Sequence, residues 1–313
     1  MRSYLRIAAG RWAWLGRIPG IGRQDLPIVA ALLLFVAAVW MPPVTLQRPT
    51  FSYLVTFDVT QSMEVEDADG AGLPVSRLAA ARTAMREVLG QLPCGSRVGW
   101  AVFADYRTLP LMLPVEVCAH YEDLLASLDR IDSRMRWANA SNIGKGATWA
   151  LRSARSVDDS TRVLFFTDGH ESPPLRPGES PPMGDITPGE VGGWLIGVGG
   201  PLAQRIPRTD REGRSAGFWA AEDVVQRPDL AAGQSREHLS ELREEHLGAL
   251  AKLLGLGYRR LTDTPALLKA LRDPAMAQPQ PVETDLRSLP ALLALALLAW
   301  RFLPRRAFRA DRR

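Results

Sequence analysis

The 313-residue chain has two cysteines, four histidines and no apolar run long enough to cross a membrane by itself. Each shortage removes a class of function. No Ser/His/Asp set shows a recognisable spacing, so triad hydrolysis has no candidate. The phosphate-loop pattern Gly-x4-Gly-Lys-Ser/Thr fails around Gly144-Lys145, because Asn139 and Gly146 stand where a glycine and a hydroxyl are needed. A basic core is missing too. Residues 1–25 carry Arg2, Arg6, Arg11, Arg17 and Arg23 with Asp25, and residues 301–313 carry Arg301, Arg305, Arg306, Arg309, Arg312 and Arg313 with Asp311. Without these ends, the balance of 38 basic to 34 acidic residues becomes a net negative charge of 5. The basic pI belongs to the tails, and the middle of the chain is not a nucleic-acid binder.

Two apolar segments adjoin the basic ends. Leu26–Trp40 is uncharged and Leu289–Trp300 is rich in Leu and Ala, yet each is shorter than the ~20 residues that span a bilayer. Flanking apolar residues, Arg301 and interfacial Trp make up length. No small-x-small cleavage site follows the first segment, where Val39-Trp40-Met41-Pro42-Pro43 is bulky and stiff. The expectation is an uncleaved two-pass inner-membrane protein with transmembrane helices at 26–43 and 287–304. The tails 1–25 and 305–313 would be cytoplasmic and the intervening chain periplasmic. A linker is expected over 273–286.

Between the anchors, strands and helices alternate. Phe51–Phe57 reads as a buried strand, Ser76–Leu89 as an amphipathic helix with Arg77, Arg82 and Arg86 on its outer face, and Arg97–Ala104 and Leu109–Val117 as a hairpin. Cys94 and Cys118 are equidistant from its turn at Tyr106, which sets them side by side as a disulfide; two buried free thiols are the alternative. Helices over Tyr121–Ile131, Ile143–Arg155, Leu239–Leu254 and Pro265–Leu271, and strands Arg162–Phe166, Trp194–Val198 and Tyr258–Leu261, complete the pattern. The expected class is α/β, a doubly wound and mostly parallel sheet. A protruding hairpin is expected over 202–228 and a surface excursion over Ser172–Pro188; His170 and Glu171, directly after Asp168, either touch a ligand or lie in an exposed loop before Pro173-Pro174.

The first strand ends in Asp58-Val59-Thr60-Gln61-Ser62, a carboxylate and two hydroxyls in one loop. Such oxygen ligands suit Mg²⁺, Mn²⁺ or Ca²⁺, although the same residues also serve as turns and helix caps. Ser141, before a helix, and Asp168, after a strand, fall at the same sheet edge. This constellation resembles a von Willebrand factor type A domain with a metal-ion-dependent adhesion site, spanning about residues 50–272. The resemblance implies that Asp58, Thr60, Ser62, Ser141 and Asp168 hold the metal, with Thr148 as the alternative second-loop hydroxyl. It also implies that a protein partner supplies a carboxylate to the open coordination position.

Ser62-Met63 with Ser76-Arg77-Leu78, and Ile196-Gly197-Val198-Gly199, are similar to bacterial membrane-anchored members associated with MoxR-type ATPases. Leu92–Gly99 and Pro114–Cys118 most resemble the MxaL-like accessory proteins of methanol oxidation. That resemblance implies a role in maturing a periplasmic enzyme such as methanol dehydrogenase, and no catalysis. The rival reading is a Mg²⁺-dependent phosphotransferase of haloacid-dehalogenase type with Asp58 as nucleophile and Lys145 or Lys252 holding the phosphoryl group. Against it, no second acidic pair follows a later strand.

Overall fold

The computed structural model describes residues 22, 25–70, 73–176, 181, 183–210, 212–227, 230 and 235–303. The chain forms two compact units, residues 1–46 with 281–313, and residues 47–280. The basic tails 1–25 and 305–313 lie almost wholly outside the described residues.

In chain order the elements begin with α1 (Leu26–Trp40), β1 (Val44–Thr50), β2 (Ser52–Asp58), β3 (Ala68–Gly70), β4 (Leu73–Val75) and α2 (Arg77–Leu89). Then come β5 (Arg97–Ala104), β6 (Arg107–Glu116), α3 (Tyr121–Asp129), α4 (Ile143–Val157), β7 (Arg162–Thr167) and β8 (Gly193–Gly197). Short strands β9 (Gln204–Arg205), β10 (Pro207–Thr209), β11 (Ser215–Phe218) and β12 (Leu239–Ser240) precede α5 (Glu244–Leu254) and β13 (Gly257–Arg260). The chain closes with α6 (Thr264–Leu271), β14 (Gln278–Thr284) and α7 (Ser288–Phe302).

Six strands form the central sheet in the order β13-β8-β7-β2-β5-β6. All pair in parallel except β6, which returns antiparallel beside β5. Side chains of a strand alternate between faces, and β2 shows it clearly. Tyr53, Val55 and Phe57 pack with α2, α3 and α6 on one face, while Leu54 packs with α4 and α5 on the other. Phe57 stacks on Phe166 with centroids 5.4 Å apart and lies 5.9 Å from Trp100. Each such fully buried side chain contributes roughly 1.5–3 kcal/mol. Helix α4 comes close to the sheet because Gly146 has no Cβ, and one built there would sit 2.1 Å from the Phe103 ring.

The expected disulfide is present, joining Cys94 to Cys118. Glu116 reinforces it by accepting the backbone N–H of Gly95 on one oxygen and of Ala119 on the other, both at 2.5 Å. Burial works to raise the Glu116 pKa, but those backbone donors win and hold it below the ordinary carboxylate value. A depressed folded pKa means that the contribution is complete above the unfolded value and is lost as pH falls through the lower folded one. The urea midpoint of the native protein should therefore drop more on acidification than that of Glu116→Gln; parallel curves would discount the interaction. Reduction of the disulfide closes off a larger effect. The bridge spans a sequence separation of 24, and its loss should cost about 3 kcal/mol on the chain-entropy model, read as a shift in unfolding midpoint with and without reductant.

Several expectations need correction. Helices α1 and α7 are 15 residues each, about 22 Å at 1.5 Å per residue against a hydrocarbon core of roughly 30 Å. The spans expected at 26–43 and 287–304 are not formed as such, and among the described residues no helix is long and apolar enough to cross a membrane. The two helices lie against each other, with Ala31, Ala38 and Ala294 buried. The linker over 273–286 is instead a helical turn at Pro274–Met276 followed by β14, which pairs with β1. The helix expected from Leu239 starts only at Glu244, because Leu239 and Ser240 pair with Arg205 and Gln204. Arg77, placed on the outer face of α2, is completely buried.

Candidate metal centre

In a parallel sheet the loops that follow the strands collect at one edge. Asp58 is the last residue of β2, and Asp168 directly follows β7, its hydrogen-bonded neighbour. Ser141 arrives by another route. Its N–H donates to the Ser172 carbonyl at 2.6 Å, and Ser172 N–H returns a bond to Ser141 at 2.8 Å. Asp105, at φ 60° in the β5–β6 turn, anchors both neighbours: its N–H donates to the Ala140 carbonyl, and its carbonyl accepts from Asn142 N–H. Ser141 is thus pinned just before α4, whose cap is Asn142, accepting Lys145 N–H. The alternative hydroxyl, Thr148, donates to the Gly144 carbonyl at 2.8 Å within α4 and does not line the cavity over Thr60 and Ser62.

Asp58 is buried at 0% exposure. Its Oδ1 accepts Thr60 N–H at 2.9 Å and Thr60 Oγ1 at 2.6 Å, and its Oδ2 accepts Thr167 Oγ1 at 2.7 Å. Burial and the neighbouring Asp168 charge push its pKa up to about 7 against the pull of those hydrogen bonds. Thr60 Oγ1 and Ser62 Oγ lie 3.3 Å apart. These two hydroxyls and Ser141 line a cavity of about 230 Å³ together with His170, Trp219 and Glu237. Ser141 Oγ is buried without a hydrogen-bond partner, which marks it as a donor or acceptor with an empty valence toward that cavity. Burial lowers the His170 pKa to about 4, so the ring is neutral.

Residues 54–170 match the family model described as the von Willebrand factor type A domain. This part of the chain is a von Willebrand factor type A domain. Solved structures similar to it include an aerotolerance-related membrane protein from Bacteroides fragilis, 18% identical, covering 71% of this chain and 96% of that one with a TM-score of 0.47. The conserved hypothetical protein BatB from Bacteroides thetaiotaomicron is 18% identical over 72% of this chain and 98% of its own, TM-score 0.48. The ArnB paralog VWA2 from Sulfolobus acidocaldarius is 15% identical over 72% and 45%, TM-score 0.39. No curated protein matches.

Within the VWA domain the second carboxylate has an unexpected neighbour. Asp168 Oδ2 accepts Arg77 Nη1 at 2.5 Å and Ser240 Oγ at 2.7 Å. The same guanidinium reaches Asp67 through Nε at 2.8 Å and Nη2 at 2.6 Å, and Nη1 also donates to the Ser62 carbonyl. Gly199, at φ 126°, makes room for it, since a Cβ there would lie 2.5 Å from Arg77 Nε. Burial works to raise the Asp168 pKa, but Arg77 holds it below the ordinary value. Of the two site carboxylates, Asp168 is therefore neutralised by protein and Asp58 is not. Sequence reasoning missed Arg77 because helical periodicity ranks Arg as a solvent residue. Its signals were Asp67, ten residues earlier, and its place in the Ser76-Arg77-Leu78 motif.

Two other assignments are revised. His170 and Glu171 are buried rather than exposed; Glu171 accepts Ile143 N–H at 3.0 Å and lies 3.1 Å from His246 Nε2. Lys145 lines a different cavity, with Gly144, Glu171, Pro181 and His246. The cavity over Thr60 and Ser62 has no lysine among its described lining, so the phosphoryl-holding group of the phosphotransferase reading is not brought to Asp58. A Cys94, Glu116 and Cys118 cluster also has metal-like spacing, but both sulfurs are committed to the disulfide.

Proposed function

We propose that the VWA domain binds a divalent cation through Asp58, Thr60, Ser62, Ser141 and Asp168 and captures a partner protein through a carboxylate of that partner. One observation carries the reading. Asp58 is a fully buried carboxylate with no cationic partner among the described residues; it accepts the Thr60 hydroxyl, which lies 3.3 Å from that of Ser62, and the cavity over these two hydroxyls is also lined by Ser141, whose Oγ has no hydrogen-bond partner. An uncompensated buried charge is costly, and paired charges or metals are its usual resolution. The donor set is all oxygen, which favours Mg²⁺, Mn²⁺ or Ca²⁺ over Zn²⁺. A bound cation would supply positive charge with exchangeable coordination, which suits a reversible bond to a carboxylate.

The disulfide supports an oxidising compartment such as the periplasm for the domain. Maturation of a periplasmic enzyme, methanol dehydrogenase in the reading of Leu92–Gly99 and Pro114–Cys118, rests on resemblance alone. Those segments hold the disulfide and the β5–β6 edge, a structural duty. Coupling to a MoxR-type ATPase belongs to the same resemblance.

Calorimetric titration of the full chain tests the cation. Mg²⁺ and Mn²⁺ should bind with one-site stoichiometry and displace each other, Zn²⁺ should not displace Mn²⁺ from the site, and Thr60→Ser should bind as the native chain does because the hydroxyl survives. Absence of any Mg²⁺, Mn²⁺ or Ca²⁺ binding would sink the reading.

A further inference from the structure

The insertion between β8 and α5 does more than protrude. Strands β10 and β11 form a small hairpin, and its Trp219 Nε1 donates to the side chain of Gln61, the residue between the two hydroxyls of the Asp58 loop. Gln61 Nε2 in turn donates to the Thr209 carbonyl and to Asn139 Oδ1, both at 3.2 Å. Gln61, Asn139 and Trp219 form a wall shared by two hollows. On one side is the cavity over Thr60, Ser62 and Ser141; on the other is a cleft of about 720 Å³.

That cleft differs in charge from the domain around it. Arg134 and Arg136 enter it from the segment before α4, and Arg208 enters from β10. Arg134 is paired with Asp132, and Arg208 lies 3.4 Å from Asp223 and stacks 4.8 Å from the Trp219 ring. Asp210, also in the lining, is occupied by Arg214. Arg136 is held only by neutral acceptors, the carbonyls of Ser133, Thr209 and Asp210 and the amide oxygen of Asn139. Among the described residues no carboxylate pairs with it. Its guanidinium is fixed in place by both walls of the cleft, and Glu64 and Asp210 act on it through space without a hydrogen bond or ion pair to either carboxylate. Fixed planar guanidinium groups are suited to carboxylates.

We infer that this cleft is a second anion subsite, and that the face as a whole takes an acidic segment of a partner protein. One carboxylate would enter the Ser62 cavity, and neighbouring ones would meet Arg136 and Arg208. The first contact rests on the cation reading above; the second stands on the cleft alone. Successive residues of an extended segment advance about 3.3 Å, so several acidic side chains can engage both hollows across the Gln61 wall.

The experiment uses the full chain, excess Mg²⁺ and two fluorescently labelled, end-blocked peptides of equal length. One carries a single Asp among Gly and Ser, and the other carries Asp at every second position. Fluorescence polarisation should show the multi-acid peptide binding at least tenfold more tightly, with the steeper loss on adding salt. Arg136→Gln with Arg208→Gln should erase that advantage while leaving Mg²⁺ titration and single-Asp binding unchanged. Arg208→Glu, at a half-exposed site, reports the same effect should the double variant fold poorly. An advantage that survives both variants, or none in the native chain, overturns the inference. If the single-Asp peptide ignores Mg²⁺ but the multi-acid peptide still needs Arg136 and Arg208, the cation reading fails and the cleft stands. Displacement of the multi-acid peptide by short single-stranded DNA at lower concentration would overturn the assignment to a protein partner.

Discussion

Arg77→Met should destabilise the VWA domain by about 3–5 kcal/mol, the range for removing one partner of a buried ion network. The side chain would be volume-matched, but Asp168 at 0% exposure and Asp67 at 9% would both lose their counter-charge. The Ser62 carbonyl and Ser240 would also lose a donor. Against a typical stability of about 5–15 kcal/mol, this threatens folding outright. Arg77→Lys should recover only part of the loss, because one ammonium cannot reproduce the two-pronged contact with Asp67 while reaching Asp168. Urea denaturation reads the effect, and a loss under about 1 kcal/mol for Arg77→Met would show that the network is not structural.

The largest functional effect should come from Asp58. Asp58→Ala is expected to abolish Mg²⁺ and Mn²⁺ uptake, since it removes the one site carboxylate that protein does not neutralise. It also leaves the donors Thr60 N–H, Thr60 Oγ1 and Thr167 Oγ1 without their acceptor, and unsatisfied buried groups cost about 1–3 kcal/mol. A loop at the surface would have spared the fold, but Asp58 is buried. Asp58→Asn is the sharper probe. It keeps the carbonyl acceptor for Thr60 and removes the charge, so cation binding should still be lost while the unfolding free energy stays within about 1 kcal/mol of native. Full Mn²⁺ binding by Asp58→Asn, followed by electron paramagnetic resonance, would move the cation elsewhere.

Much of this architecture was legible in the chain. The alternation within Phe51–Phe57 and the apolar run Val163–Phe166 mark buried parallel strands because a strand covered on both faces has no polar side to show. The site loops were legible for a related reason: Asp58, Thr60, Ser62 and Asp168 follow those strands directly, so locating the strands locates the loops. Cys94 and Cys118 could be paired because a hairpin is local and counts residues symmetrically from its turn.

The sequence by itself thus determined the strand–helix alternation, the sheet edge where Asp58 and Asp168 stand and the disulfide. Tertiary structure alone decided what surrounds them. Arg77 looks like a surface residue in its own helix and becomes interior only when Asp67, Asp168 and Ser240, far apart in the chain, close around it. Ser141 rather than Thr148 lines the cavity over Thr60 and Ser62, because Ser172 and Asp105 hold its backbone there, whereas Thr148 bonds back within α4. Gln61 touches Trp219 across 158 residues. Periodicity reports how a segment meets an average interior, but a buried charge or a shared wall depends on which distant partners arrive, and that is a property of the assembled fold.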